Sequence, residues 1–213
     1  MNRRSHFKCL AYGALAIAIF PAHANKVVDF FRAVHLDDLR TVQRLLDEGL
    51  DPNSVNDKGQ PGLFVALRDD APKVAAALLA HPGVLVDFAN SSNETPLMMA
   101  ALRGRAGLAE QLMARGAAIN RDGWTPLHYA ATGAHTPMVA LLLQRGAALE
   151  ALSPNRTTPL MMACRYGPEG SVDLLLARGA SLQARNDAGM TAVDFAASAG
   201  RESLARRLAD LPR

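Results

Sequence analysis

Cysteine is nearly absent from this chain: Cys9 and Cys164 are the only two in 213 residues. That number excludes the disulfide framework that staples small secreted domains. Metal-ligand spacing is missing too, since His35, His81 and His135 are scattered over separate stretches. No phosphate-cradling glycine loop, nucleophile elbow or convincing carboxylate pair occurs. The expectation is a protein that is not an enzyme, with no catalytic residue, no metal and no cofactor.

A surplus of charge is also lacking once the chain is divided. The whole sequence has 23 Lys+Arg against 20 Asp+Glu. Arg3, Arg4 and Lys8 make up the difference, and the first 24 residues contain no acid, so the remainder balances at 20 against 20. Nothing in it calls for nucleic acid or an anionic membrane as a partner.

Those first residues form a segment of their own. A basic start is followed by an apolar run of 12 residues from Cys9 to Phe20, then by Pro21-Ala22-His23-Ala24. This is the pattern of a secretory signal peptide, residues 1–24, cut between Ala24 and Asn25. The run is too short for a stable membrane anchor, which needs roughly 20 apolar residues. Arg3-Arg4 hints at twin-arginine export, but His6 breaks the hydrophobic position, which favours the general secretory route. Cys9 precedes the apolar run and is not a lipoprotein cysteine. A periplasmic location is expected.

From Asn25 onward a short motif returns in register. Thr125-Pro126-Leu127-His128-Tyr129-Ala130 is echoed by Thr95-Pro96-Leu97-Met98-Met99-Ala100 and Thr158-Pro159-Leu160-Met161-Met162-Ala163. Worn copies begin at Val28, Pro61 and Thr191. Thr125 to Thr158 and Thr158 to Thr191 are each 33 residues, and a fixed period of this size means stacked supersecondary units. Thr before Pro suits a helix start, because the hydroxyl caps orphan amides and proline at the first position has no amide to lose. Gly133, Gly167 and Gly200 mark a break, a Leu-Leu or Leu-Met pair marks a second helix, and Gly116, Gly146 and Gly179 sit where a left-handed residue would close it.

The pattern resembles the ankyrin repeat family, whose signature is T-P-L-H-x-A at this period. The resemblance implies an all-α solenoid of six helix-turn-helix units with β-hairpin fingers, approximately 25–56, 57–90, 91–120, 121–153, 154–186 and 187–213. The terminal units carry the polar outer faces that caps require, Arg32, Asp37 and Arg40 in the first and Arg201, Glu202 and Arg206 in the last. Two steps break the period: 34 residues from Pro61 to Thr95, with the extra residue near His81-Pro82-Gly83, and only 30 from Thr95 to Thr125. The finger ending at Trp124 should therefore be stunted.

The family resemblance also implies a concave face, built from finger tips and first helices, that holds a protein partner. On it fall Arg68, Glu94, Arg103, Trp124, Arg165 and Tyr166, and Trp, Tyr and Arg are the types enriched in interface hot spots. The resemblance gives His128 a structural role, tying Thr125 to the hairpin backbone. Cys164 stands where sister units have Ala101 and Ala131, so it reads as a packed thiol. The pairs Met98-Met99 and Met161-Met162 read as core. The other reading is a stress-protection protein whose oxidisable methionines serve peroxide defence. The expected protein is an exported monomeric scaffold. N-terminal sequencing of the native protein should begin at Asn25; retained Met1, or lipid on Cys9, would remove the periplasmic assignment.

Overall fold

A computed structural model describes residues 16–211. Arg3, Arg4, Lys8 and Cys9, on which the export reading depends, lie outside them. Among the described residues twelve helices form six consecutive pairs: α1 Ala16–His35 with α2 Leu39–Asp47, α3 Gly62–Arg68 with α4 Pro72–Ala80, and α5 Pro96–Leu102 with α6 Ala106–Ala114. They are followed by α7 Pro126–Thr132 with α8 Thr136–Gln144, α9 Pro159–Tyr166 with α10 Glu169–Ala177, and α11 Ala192–Ser198 with α12 Glu202–Ala209. α1 runs unbroken through Ala24 and Asn25, so the sequence-predicted boundary has no bend at it.

Each first helix starts as its sequence dictates. Thr95 and Thr158 accept at their hydroxyls from the amides of Met98 and Met161, at 3.4 and 3.3 Å, and proline follows each threonine. The reciprocal bond comes from an unusual acceptor: the sulfur of Met98 or Met161 takes the threonine's own amide at 3.4 Å. Asp194 does the same for Thr191 with a carboxylate oxygen at 2.7 Å. One position thus closes the helix start with sulfur, carboxylate or, in α7, imidazole. The second helices α6, α8 and α10 end on left-handed glycines, with φ of 94°, 86° and 91° at Gly116, Gly146 and Gly179.

Stacking is tightest along the first helices, α3 on α5 on α7 on α9 on α11, which form the inner layer. Gly133 and Gly167 are not left-handed; they are needed because backbone meets backbone. A Cβ on Gly167 would fall 2.2 Å from the carbonyl oxygen of Ala131, and one on Gly133 2.5 Å from that of Leu102. Gly62 makes room in the same way for the ring of Phe30, which is wholly buried.

The fingers are turns and not hairpin ladders. Among the described residues the only strand-like pairing is the bridge of Val55 with Pro61. One backbone bond closes each of four fingers, from the amide of Asn56, Asn90, Ser153 or Asn186 to the carbonyl four residues on. A side chain reinforces it: Asn56, Asn90 and Asn186 each accept two amides at their Oδ1, and Ser153 accepts the Thr157 amide. Such local side-chain bonds satisfy the remaining amides of segments too short for a ladder. The extra residue at His81-Pro82-Gly83 has a partner as well. There α4 ends on an extended His81, and Arg115 of the next unit donates to the carbonyls of Leu79, His81 and Val84. Arg201, expected on an outward polar face, is half-buried and donates to the carbonyls of Ala163, Cys164 and Gly167. A guanidinium can satisfy several orphan carbonyls at once, which makes the inward position favourable.

Gly167→Ala should cost about 1–3 kcal/mol, since backbone must move to admit the methyl. Gly107→Ala, in α6 with open space around it, should gain roughly 0.5–1 kcal/mol. Denaturant melts of the two variants check both, and equal effects would refute the close-approach account.

Candidate functional site

The site is built on the shortened finger. Arg121 anchors it backward, donating to Asp87 Oδ2 at 3.0 Å and to Asn93 Oδ1 at 2.8 Å. Asn120 anchors it forward, donating to the Gly146 carbonyl at 2.9 Å and accepting from the Ala148 amide at 2.8 Å. Gly123 then turns at φ 81° beside Pro154, delivering Trp124 directly to the start of α7. No Asx or Ser closure fits in this finger.

Trp124 is half-buried, its indole edge-on to the imidazole of His128 with centroids 5.2 Å apart and planes at 80°. Together with Leu102, Tyr129, Thr132 and Met162 they line an apolar recess of about 210 Å³. Its walls come from α5, α7 and α9, three consecutive inner helices. Trp124 is therefore neither a free surface group nor core.

Fixed polar groups surround this recess. His128 is wholly buried: Nδ1 faces the Thr125 amide at 3.2 Å and its hydroxyl at 2.9 Å, while Nε2 meets the Thr157 carbonyl at 2.9 Å. Neutral imidazole satisfies all three, accepting at Nδ1 and donating at Nε2. Burial pushes its pKa down to about 4. The Tyr129 hydroxyl donates to Glu94 Oε1 at 2.6 Å; burial first, and then that carboxylate, hold the phenol well above its usual range. Glu94 Oε2 takes Asn90 Nδ2 at 2.7 Å.

Other expected site residues fall on either side. Arg68 spends its guanidinium on Asp69, at 2.6 and 3.0 Å, and on Gln60 at 2.6 Å. Arg103 donates through Nε to the Arg68 carbonyl at 2.9 Å. Arg165 lies over the rings of Tyr166 and Phe195, 5.2 and 5.9 Å from their centroids, and Tyr166 is 56% exposed. Arg68, Glu94 and Arg103 thus gather at one end, Arg165 and Tyr166 at the other, with Trp124 between. Tyr129 and Met162 were not among the expected site residues, and Met162 was expected in the core with Met161. Their signal was helical spacing: Tyr129 lies three residues before Thr132, and Met162 three before Arg165, on the same face.

The methionine pairs are mostly out of reach of solvent. Met98 and Met161 are wholly buried and Met99 is 3% exposed; Met162 alone reaches the recess. Cys164 is buried, and burial pushes its thiol up to about 12, far from a reactive thiolate. Among the described residues no three His, Cys, Asp or Glu side chains converge to hold a metal, and no helix is long and apolar enough to cross a membrane.

What the fold presents is a repeat solenoid with a shaped inner surface, a class of protein that holds other molecules. The chain belongs to the ankyrin repeat family: the description "Ankyrin repeats (3 copies)" matches residues 30–122, 78–153 and 106–186. It is similar to protein glp-1 of Caenorhabditis elegans, 28% identical over 189 residues, which is 81% of this chain and 15% of that protein. Neurogenic locus notch homolog protein 1 of Xenopus tropicalis is 29% identical over 124 residues, 57% of this chain and 5% of that protein. The 26S proteasome non-ATPase regulatory subunit 10 of Dictyostelium discoideum is 40% identical over 74 residues, 33% of this chain and 32% of that protein. The chain spans less than a third of the length of these curated relatives. Among solved structures, one chain of a predatory endopeptidase from Bdellovibrio bacteriovorus in complex with an immunity protein is similar. The TM-score is 0.72 and the identity 25%, covering 86% of this chain and 98% of that one. Ankyrin repeats are a general protein–protein interaction module.

His128 generates a pH prediction. The unfolded histidine titrates near 6.5 and the folded one near 4, so the unfolded state binds the extra proton in between. Its contribution is whole above pH 6.5 and falls by roughly 3 kcal/mol as pH drops through 4. His128→Met, the side chain used by the sister units, should flatten stability between those pH values in urea melts. An unchanged acid slope would place the titrating group elsewhere.

Proposed function

We propose that this chain is an exported, non-enzymatic ankyrin scaffold that holds a protein partner against its concave face. Its location on this reading is the bacterial periplasm, and cleavage after Ala24 leaves α1 to begin at Asn25. The observation that carries the binding reading is the recess of Leu102, Trp124, Tyr129, Thr132 and Met162, open on the inner helices and flanked by arginines. An apolar recess with fixed polar walls is where interface hot spots concentrate, because side chains entering it lose their water completely. The similar solved structure is an endopeptidase–immunity protein complex from a bacterium, which favours a protein as ligand. The peroxide-defence alternative draws no support from methionines that lie in the core, so the scaffold reading is preferred.

Partner capture by the whole protein from the exported fraction, identified by mass spectrometry, tests this reading. Trp124→Ala should weaken the captured complex by about 2 kcal/mol or more, with the circular dichroism spectrum and the melt near wild type. Undiminished capture would move the site off this face. Because Trp124 packs on His128, Leu102→Ala on the opposite wall provides an independent reading and should also weaken capture.

A further inference from the structure

We infer that the partner segment seated beside Trp124 is an acidic peptide. It places one large apolar side chain in the recess and a carboxylate on either side, running across the inner helices from unit three to unit five. This rests on the reading of the concave face as a protein-binding surface and names the chemistry it selects.

Some charges along the inner layer have partners and others have none. The seventh residue after each motif start forms a row along the inner layer: Arg68, Leu102, Thr132, Arg165, Ser198. Two uncharged positions, both lining the recess, therefore lie between arginines, and Arg103 stands beside Leu102. Several arginines of the array find carboxylates, as Arg105 does with Asp70, Arg145 with Glu110, and Arg207 with Asp173 and Glu169. Arg68 is likewise neutralised by Asp69. Arg103 and Arg165 are not. Among the described residues neither has a carboxylate within ion-pairing distance; Arg103 offers only its Nε to a carbonyl, and Arg165 rests on two rings.

The acid best placed to quench them is committed elsewhere. Glu94 holds the Tyr129 hydroxyl and Asn90, and Asp122, at the tip of the shortened finger, pairs with neither arginine. Glu94 keeps its negative charge, since its Tyr129 and Asn90 donors are both neutral, and it acts on Arg68. Arg103 and Arg165 remain as cations without a carboxylate partner on either side of the apolar centre. A guanidinium presents paired donors that a carboxylate accepts in parallel, so a peptide acid pairs with these groups. Spacing follows from the stack. Inner helices lie about 8–10 Å apart, so units three and five are separated by roughly 16–20 Å. An extended segment covers that in about five or six residues at ~3.3 Å each. The apolar anchor falls midway.

A short synthetic peptide tests this, with phenylalanine at the centre, glycine spacers, and a glutamate about three residues to either side. Trp124 is the single tryptophan of the chain, so its emission reports occupation of the recess directly. Titration of the whole protein should give a saturable emission shift that weakens with added salt. Lysine in place of glutamate, or glycine in place of phenylalanine, should weaken binding at least tenfold. Arg103→Glu and Arg165→Glu should each do the same. Arg103 is exposed, so its variant stays informative even if removing the Arg165 stack disturbs Tyr166 and Phe195. An emission that does not move, equal binding of glutamate and lysine peptides, or Arg103→Glu binding like wild type overturns the inference. A captured native partner lost by Trp124→Ala but kept by both charge reversals would overturn the acidic chemistry and leave the concave-face reading standing. Capture that survives Trp124→Ala would instead sink the reading beneath it.

Discussion

Among the described residues every helix but α1 is too short to stand alone, at seven to nine residues, and none of the pairs can bury its own apolar side. The constraint that governs the rest is therefore how closely one inner helix can approach the next. Isolated helices of this length are marginal in water, and most of their stability comes from packing. The approach is set where backbone touches backbone, at Gly133 against Leu102 and Gly167 against Ala131. Small residues line the same seam: Ala100, Ala101, Ala130, Ala131, Ala163 and Cys164 are all wholly buried. A larger residue at any of them would separate two units and cost the contacts of both.

That close approach explains why one motif position carries different side chains without changing the fold. Methionine, aspartate and histidine all reach back to the amide of the preceding threonine, and each thereby completes the start of its helix. Histidine alone does a second thing: Nε2 continues to the Thr157 carbonyl and couples unit four to the loop that starts unit five. The same ring forms the floor on which Trp124 stands. The place where the array is most tightly joined is also the place where it presents a recess.

Much of this was legible in the sequence because it is local. Thr95-Pro96, Thr125-Pro126 and Thr158-Pro159 announce helix starts by the chemistry of one hydroxyl and one missing amide, and Gly146 and its equivalents announce helix ends by the sign of φ. The 30-residue step before Thr125 located the irregular finger for the same reason. The unread part depends on side chains that cross between units. Tyr129 was hidden inside a motif whose sister residue Met99 is core. Arg201 was counted among outward charges because nothing near it in sequence shows the three carbonyls it serves. Arg121, in the shortened finger, gives no hint of Asp87 and Asn93 more than 25 residues earlier. Hairpin ladders were expected in the fingers, yet Asn56, Asn90, Ser153 and Asn186 close them within five residues.

The two carbonyl clamps give the array a temporal order. Arg115 completes the end of α4, and Arg201 the end of α9, so in both cases an earlier unit is finished by a later one. A chain that emerges N-terminus first, from a ribosome or through a membrane, presents each helix end well before the guanidinium that closes it. The second unit waits for residue 115 and the fifth for residue 201. At these two junctions the closing guanidinium lies one unit later in the chain than the helix end it completes.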